Sequence, residues 1–219
     1  MLHARNLDWA VPGIGPATIV LNYRGLCCGK HDVISVAWPG YLGIVSGMVK
    51  GVYSGTLNQA PNSDKLRVGC VPVSFALRHI MERCDTFDGA VQVLKTTELM
   101  SSGLFLHAGT DEAAVVEHDG KEGHETRGKA LAVTNDYISA HARRKYGYPN
   151  VSEDGSDSCE RLRQARSILK RCYGPDDVLV AMAQSPVRNS LTAQQMVFEP
   201  KSGNFEVGTY ATDAAVLGL

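Results

Sequence analysis

Six cysteines in 219 residues are too few for a disulfide scaffold, and no two of them form a C-x-x-C metal or redox pair. A reduced, intracellular, cytoplasmic protein is the expectation from that usage, although a signal sequence preceding Met1 would change it. Excess charge is also missing. With 22 basic and 23 acidic residues the net charge is -1, so the chain has no electrostatic footprint for nucleic acid or an anionic membrane. No apolar run reaches membrane-spanning length, which leaves no transmembrane segment in the sequence. Several catalytic signatures are absent too: there is no G-x-S-x-G elbow and no H-E-x-x-H. Gly13-Ile14-Gly15-Pro16 stops short of a phosphate-binding G-x-G-x-x-G, and the seven histidines show no metal-ligand spacing. Internal repeats and low-complexity tracts are lacking, so residues 1–219 read as one domain.

What is present is an order of elements. Ala17 to Asn22 and Asp32 to Trp38 are strand-like around a glycine turn, and Gly43 to Met48 and Val52 to Asn58 are two glycine-bearing strands. Leu77, Ile80, Met81 and Cys84 recur at helical spacing after Pro72, and Thr86 caps a second helix carrying Ala90, Val91 and Leu94. Leu104 to His107, Ala113 to Glu117 and Ala130 to Thr134 are the next expected strands, with a turn at residues 120–123. Ser158 is read as the cap of a helix reaching Cys172, and Pro175-Asp176-Asp177 starts another. Gln194 to Phe198 and Phe205 to Gly208 close the chain as a hairpin. The class is α+β. Arg143-Arg144-Lys145 reads as a solvated loop or helix end, and Asn150-Val151-Ser152 fits a glycosylation triplet of a kind that chance often supplies. Adjacent Cys27 and Cys28, beside Gly25 and Gly29, read as turn residues on opposite faces. His79 is read as packing or snorkelling on its helix and His107, at a strand end, as lying near a pocket, neither with a catalytic role.

Four separated segments carry chemistry. Arg5-Asn6-Leu7-Asp8-Trp9 puts a cation, an amide and a carboxylate on one short strand; Gly47-Met48 is followed by Leu57-Asn58-Gln59; Thr134-Asn135-Asp136-Tyr137 follows an apolar run; and Asp157-Ser158-Cys159-Glu160-Arg161 opens a helix. Taken singly, each has a plainer reading as an ion pair or a turn. In their order and separation they resemble the N-terminal-nucleophile hydrolases of linear amides. The resemblance is to the acid ceramidase, N-acylethanolamine amidase and acyl-coenzyme A:penicillin acyltransferase group, related to choloylglycine hydrolases and peptidase family C45. Ala4 stands for the usual glycine, Val49 for an asparagine and Gln59 for the glutamate of ceramidase-like members.

The resemblance implies a four-layer αββα sandwich lacking its first strand, with the sheets enclosed by helices starting near Pro72, Thr86, Ser158 and Pro175. It implies an enzyme of the amide hydrolase or acyltransferase type. Arg5 would lie beside a thiolate, Asp8 would orient a free amine, Asn58 and Asn135 would donate to an oxyanion, and Arg161 would support Arg5. Trp9, Trp38 and Tyr53 are candidate pocket aromatics. No metal and no cofactor is implied, and the substrate is a small acylated amine. The nucleophilic cysteine is expected on a strand roughly ten to fifteen residues upstream of Arg5, before Met1. An edge left open by that strand is expected to dimerise or pair with a partner strand. A catalytically inactive relative that binds an acylated amine or another hydrophobic ligand is the alternative reading.

Overall fold

A computed structural model describes residues 1–60, 66–146, 158–172 and 174–211. The Asn150 triplet and Asp157 lie outside the described residues. Among the described residues ten strands and five helices follow one another as strands, two helices, strands, three helices and strands.

The chain begins with β1 (His3–Asp8), whose strict alternation of buried and half-buried residues sends His3, Arg5 and Leu7 to one face. Next come β2 (Ile19–Cys27), β3 (His31–Ala37), β4 (Ser46–Val49) and β5 (Tyr53–Gln59). Helices α1 (Val73–Arg83) and α2 (Phe87–Thr96) interrupt the sheet, which resumes as β6 (Gly103–Ala108), β7 (Ala113–His118) and β8 (Gly123–Gly128). β2 to β8 pair in chain order as a seven-stranded antiparallel meander. After α3 (Ala140–Tyr146), α4 (Ser158–Ile168) and α5 (Pro175–Met182), the last strands β9 (Thr192–Glu199) and β10 (Asn204–Thr209) join β1 in a three-stranded sheet ordered β1-β9-β10.

The two sheets face each other across a core that holds Leu7, Met196 and Phe198 from the small sheet and Ile34 and Met48 from the large one. α1 packs on β2 and β5, α2 packs on β6 to β8, and α5 covers β1 and β9 with α4 against it. The result is helix, sheet, sheet, helix: the expected four layers. Gly47 and Gly55 permit the close approach of α1. A Cβ on Gly47 would lie 2.7 Å from the Ile34 carbonyl oxygen, and one on Gly55 would lie 3.0 Å from Leu77 Cδ1. Thr86 caps α2 by accepting from the Gly89 N–H, and Pro175 occupies the first turn of α5 with Asp176 and Asp177.

Two local expectations are corrected. Residues 130–134 are not a strand; the polar segment 123–128 takes that place as β8, paired with β7 and tied to α2 by the Lys95–Glu125 and Arg127–Asp88 ion pairs. Arg143 to Lys145 form the last turn of a short helix, α3, which is one of the two places expected of them. Helix α4 stops at Ile168, and the Ser158 hydroxyl turns to the 134–135 loop rather than capping its own helix. Cys27 is buried and Cys28 exposed with φ 53°, as the glycine-flanked turn requires. His79 is exposed instead of packed.

Candidate active site

Arg5 projects from β1 into the space between the sheets. Its Nη1 donates to the Val45 carbonyl at 2.5 Å and its Nη2 to the Leu57 carbonyl at 2.6 Å, while Nε has no partner among the described residues. Burial lowers the Arg5 guanidinium to about 10, and Asp8 opposes the shift, so a fixed cation stands there at neutral pH.

Asp8 ends the same strand at a β-bulge, where the pairing slips so that Leu7 faces Gln194 but Asp8 faces Thr192. Its Oδ1 accepts from Thr192 Oγ1 at 2.7 Å and its Oδ2 from Asn189 Nδ2 at 2.7 Å. Arg161, one turn into α4, lies 3.6 Å from Asp8 Oδ2 with a side chain only 12% exposed. This is a shielded cleft pair, not the surface salt bridge that the helix alone suggests.

Asn58 at the end of β5 donates through Nδ2 to the Thr134 carbonyl at 2.9 Å, and Asn135 Nδ2 donates to the Gln59 carbonyl at 3.1 Å. Asn135 Oδ1 accepts from Arg161 Nη2 at 2.9 Å, and the Asn135 N–H donates to Ser158 Oγ at 3.0 Å. Partners on both ends of the Asn135 amide fix which way it points. Each amide nitrogen carries a second hydrogen beyond the one bound to a carbonyl.

Arg5, Asp8, Asn58 and Arg161 line one polar cleft of about 510 Å³ together with Asn6, Thr56 and Thr134, and Asn135 reaches its rim through Arg161. Two guanidinium groups against one carboxylate leave the lining with a net charge of +1, suited to an anion that forms during reaction. A second, mostly apolar cleft of about 890 Å³ continues from it past Ala4, Leu106, Val133, Ala165 and Met182, with Met1 to Ala4 along one side.

The predicted aromatics do not enter either cleft. Tyr53 is fully buried toward α1, its hydroxyl donating to the Ile80 and Cys84 carbonyls, because its place in β5 faces the helix layer. Trp9 and Trp38 pack on each other at 5.1 Å, with the Trp38 indole N–H donating to the Ile14 carbonyl. His107 is likewise buried among Gly55, Leu77 and Tyr53, away from the clefts. Sequence reasoning missed Asn189 and Thr192, which carry no motif and meet the site only through the pairing of β9 with β1. None of the six cysteines lines the polar cleft; Cys172 borders the apolar one. Among the described residues no cluster of three or more His, Cys, Asp or Glu is arranged to hold a metal, and no helix is long and apolar enough to cross a membrane.

Residues 35–209 match the family model of acyl-coenzyme A:6-aminopenicillanic acid acyl-transferase. The chain belongs to this family. Within the wider N-terminal-nucleophile group it is similar to acid ceramidase of Homo sapiens, 21% identical over 97% of this chain, and to that of Bos taurus at the same identity and coverage. The chain spans 59% of the length of those curated relatives. Among solved structures, an N-acylethanolamine-hydrolyzing acid amidase ortholog of Caenorhabditis elegans superposes with a TM-score of 0.67 at 20% identity, covering 91% of this chain and 88% of that one. A variant of conjugated bile acid hydrolase from Clostridium perfringens superposes with a TM-score of 0.64 at 11% identity, covering 95% and 85%. At such identities the structural likenesses establish the N-terminal-nucleophile hydrolase fold. The family's αββα sandwich accounts for both sheets and both helix layers.

Proposed function

We propose that the polar cleft is the acyl-transfer site of a linear amide hydrolase or acyltransferase working through a thioester on an N-terminal cysteine. One observation carries the reading: Arg5, Asp8, Asn58 and Arg161, from segments as far apart as β1 and α4, line one cleft with Asn135 bonded to Arg161 at its rim, beside β1 at the edge of its sheet. Among the described residues β1 pairs with β9 alone. The apolar cleft lies beyond its other edge, with β6 and β7 residues Leu106, Ala108 and Ala113 on one face and α4 and α5 residues Ala165, Ile168 and Val178 on the other. That slot suits one more strand of about five or six residues, whose first residue would stand near Asp8 if it ran antiparallel to β1.

In the proposed reaction the cysteine sulfur attacks the amide carbonyl while its α-amino group takes the thiol proton. The carbonyl electrons pass to oxygen, where the remaining amide hydrogens of Asn58 and Asn135 donate to the oxyanion. Collapse expels the amine with the transferred proton and leaves a thioester; water or an acceptor amine then takes the acyl group and restores the thiol. Arg5 holds negative charge at sulfur, and Asp8 accepts from the α-ammonium group.

The test is amine release by protein purified from its native source, offered an N-acylethanolamine, a ceramide and a glycine-conjugated bile acid. Release from one of these, lost after thiol alkylation, is expected. A second reading, an inactive relative that binds an acylated amine or pairs a partner strand at β1, draws on the mostly apolar cleft beside Met1 to Ala4, which would take an acyl chain without any chemistry. No release from any of the three, with a dissociable complex instead, supports that reading and overturns the first.

A further inference from the structure

We propose that Asn189 and Thr192, in the turn leading into β9, are positioning residues that clamp the Asp8 carboxylate and keep it from collapsing onto Arg161. The inference rests on the acyl-transfer reading for its catalytic consequence. Its geometric content is independent.

The β-bulge brings the two sides together. Ala193 is skipped in the pairing, so Asp8 sits opposite Thr192. Bulges beside functional sites commonly re-aim a side chain in this way. The turn residues are then fully committed by their other bonds. Thr192 Oγ1 accepts from the Asn189 N–H at 3.1 Å, which leaves its single proton for Asp8 Oδ1 at 2.7 Å. Asn189 Oδ1 accepts from the Leu191 N–H at 2.8 Å, which fixes the amide orientation and aims Nδ2 at Asp8 Oδ2, also 2.7 Å away. The Thr192 N–H donates back to the Asn189 carbonyl at 3.2 Å and closes the turn, and Thr192 is 2% exposed. Neither side chain has a second arrangement that keeps its bonds.

The consequence concerns Arg161. Its Nη1 stands 3.6 Å from Asp8 Oδ2, whereas a charge-assisted N–H···O bond settles at about 2.7–2.9 Å. Asn135 holds the other end of the guanidinium at 2.9 Å. Clamped from opposite sides, cation and carboxylate stay apart, and both keep bonding capacity for the cleft. With the clamp removed, Asp8 is free to rotate into a direct bond with Arg161 and spend that capacity.

The experiment compares Thr192→Val, Thr192→Ser and Asn189→Ala in the native-source form of the protein, alone and with Asp8→Asn. For amide turnover, Thr192→Val and Asn189→Ala are expected to lower kcat about tenfold to a hundredfold with KM within about threefold, Thr192→Ser to recover most of kcat, and Thr192→Val to cost nothing further when Asp8 is already Asn. Equal losses for Ser and Val, or a full further loss on the Asp8→Asn background, overturn the proposal. Should the parent release no amine, the acyl-transfer reading fails, and urea unfolding of the same four-variant cycle decides the clamp. Midpoint shifts for Thr192→Val and Asp8→Asn that fail to add support it, and shifts that add fully overturn it.

Discussion

Acid should destabilise this protein through histidines that the fold keeps neutral. His3, between the sheets, is lowered from 6.5 to about 3 by burial first and then by His107 and Arg5; His107, between the large sheet and α1, is lowered to about 4 by burial. In the unfolded chain both take a proton near 6.5, so below that pH these two residues together bind up to two more protons in the unfolded state than in the native one. Stability therefore rises with pH in this window: it is fully present above 6.5, falls as pH drops toward 4, and His3 continues the loss toward 3. Each histidine contributes a slope of up to about 1.4 kcal/mol per pH unit, and because His107 begins to take its proton in the native state near pH 4, the pair removes about 2.3 kcal/mol between pH 5 and pH 4. That is a large share of a typical margin of roughly 5–15 kcal/mol. His107 isolates the effect, because neither ring nitrogen has a partner among the described residues. His107→Leu should lower the slope by up to about 1.4 kcal/mol per pH unit and, by removing a buried unpaired donor, leave neutral-pH stability within about 1 kcal/mol of the parent. The assay is urea unfolding at half-unit steps from pH 4 to 7. An unchanged slope, or a neutral-pH loss above about 3 kcal/mol, would refute the burial argument.

Other perturbations have equally definite outcomes. Asn135→Ala should reduce amide turnover by about a hundredfold to a thousandfold if the second amide hydrogen meets an oxyanion, as measured by kcat on whichever amide is released. Glu117, 4% exposed, accepts from the Ile138 and Ser139 N–H groups and so holds the segment after Asn135. Glu117→Ala should cost about 1–3 kcal/mol in denaturant unfolding and raise protease cutting in residues 130–140. Gly47→Ala must displace either the Ile34 carbonyl or Met81, at a cost of about 1–3 kcal/mol in the same assay. Thr86→Ala removes the cap of α2 and should cost about 1 kcal/mol, read as a lower melting temperature.

Where the sequence spoke, it spoke through periodicity and punctuation. β3, β6 and β9 were readable as short, largely apolar runs buried on both faces, and the Leu77–Ile80–Met81 stripe of α1 because burial on one face imposes a period. β8 was not, since an edge strand covered by ion pairs to α2 carries Glu125 and Arg127 where a buried strand would carry apolar residues. The run 130–134 misled for the opposite reason: its apolar side chains face a cleft rather than a sheet neighbour. In the site, Arg5, Asp8, Asn58, Asn135 and Arg161 were legible only as a set, from order and separation. Asn189 and Thr192 were illegible, because what joins them to Asp8 is a one-residue slip between strands about 180 positions apart, and no local pattern records it.

The most direct test of the proposed acyl transfer is to label the native-source protein with a thiol alkylator during turnover of a linear acyl amide and locate the label by peptide mass spectrometry. The account predicts that amine release stops as one cysteine with a free α-amino group is labelled, on a strand beside β1. Amine release that continues with that position blocked, or labelling that stops release only at Cys27, Cys28, Cys70, Cys84, Cys159 or Cys172, would contradict it.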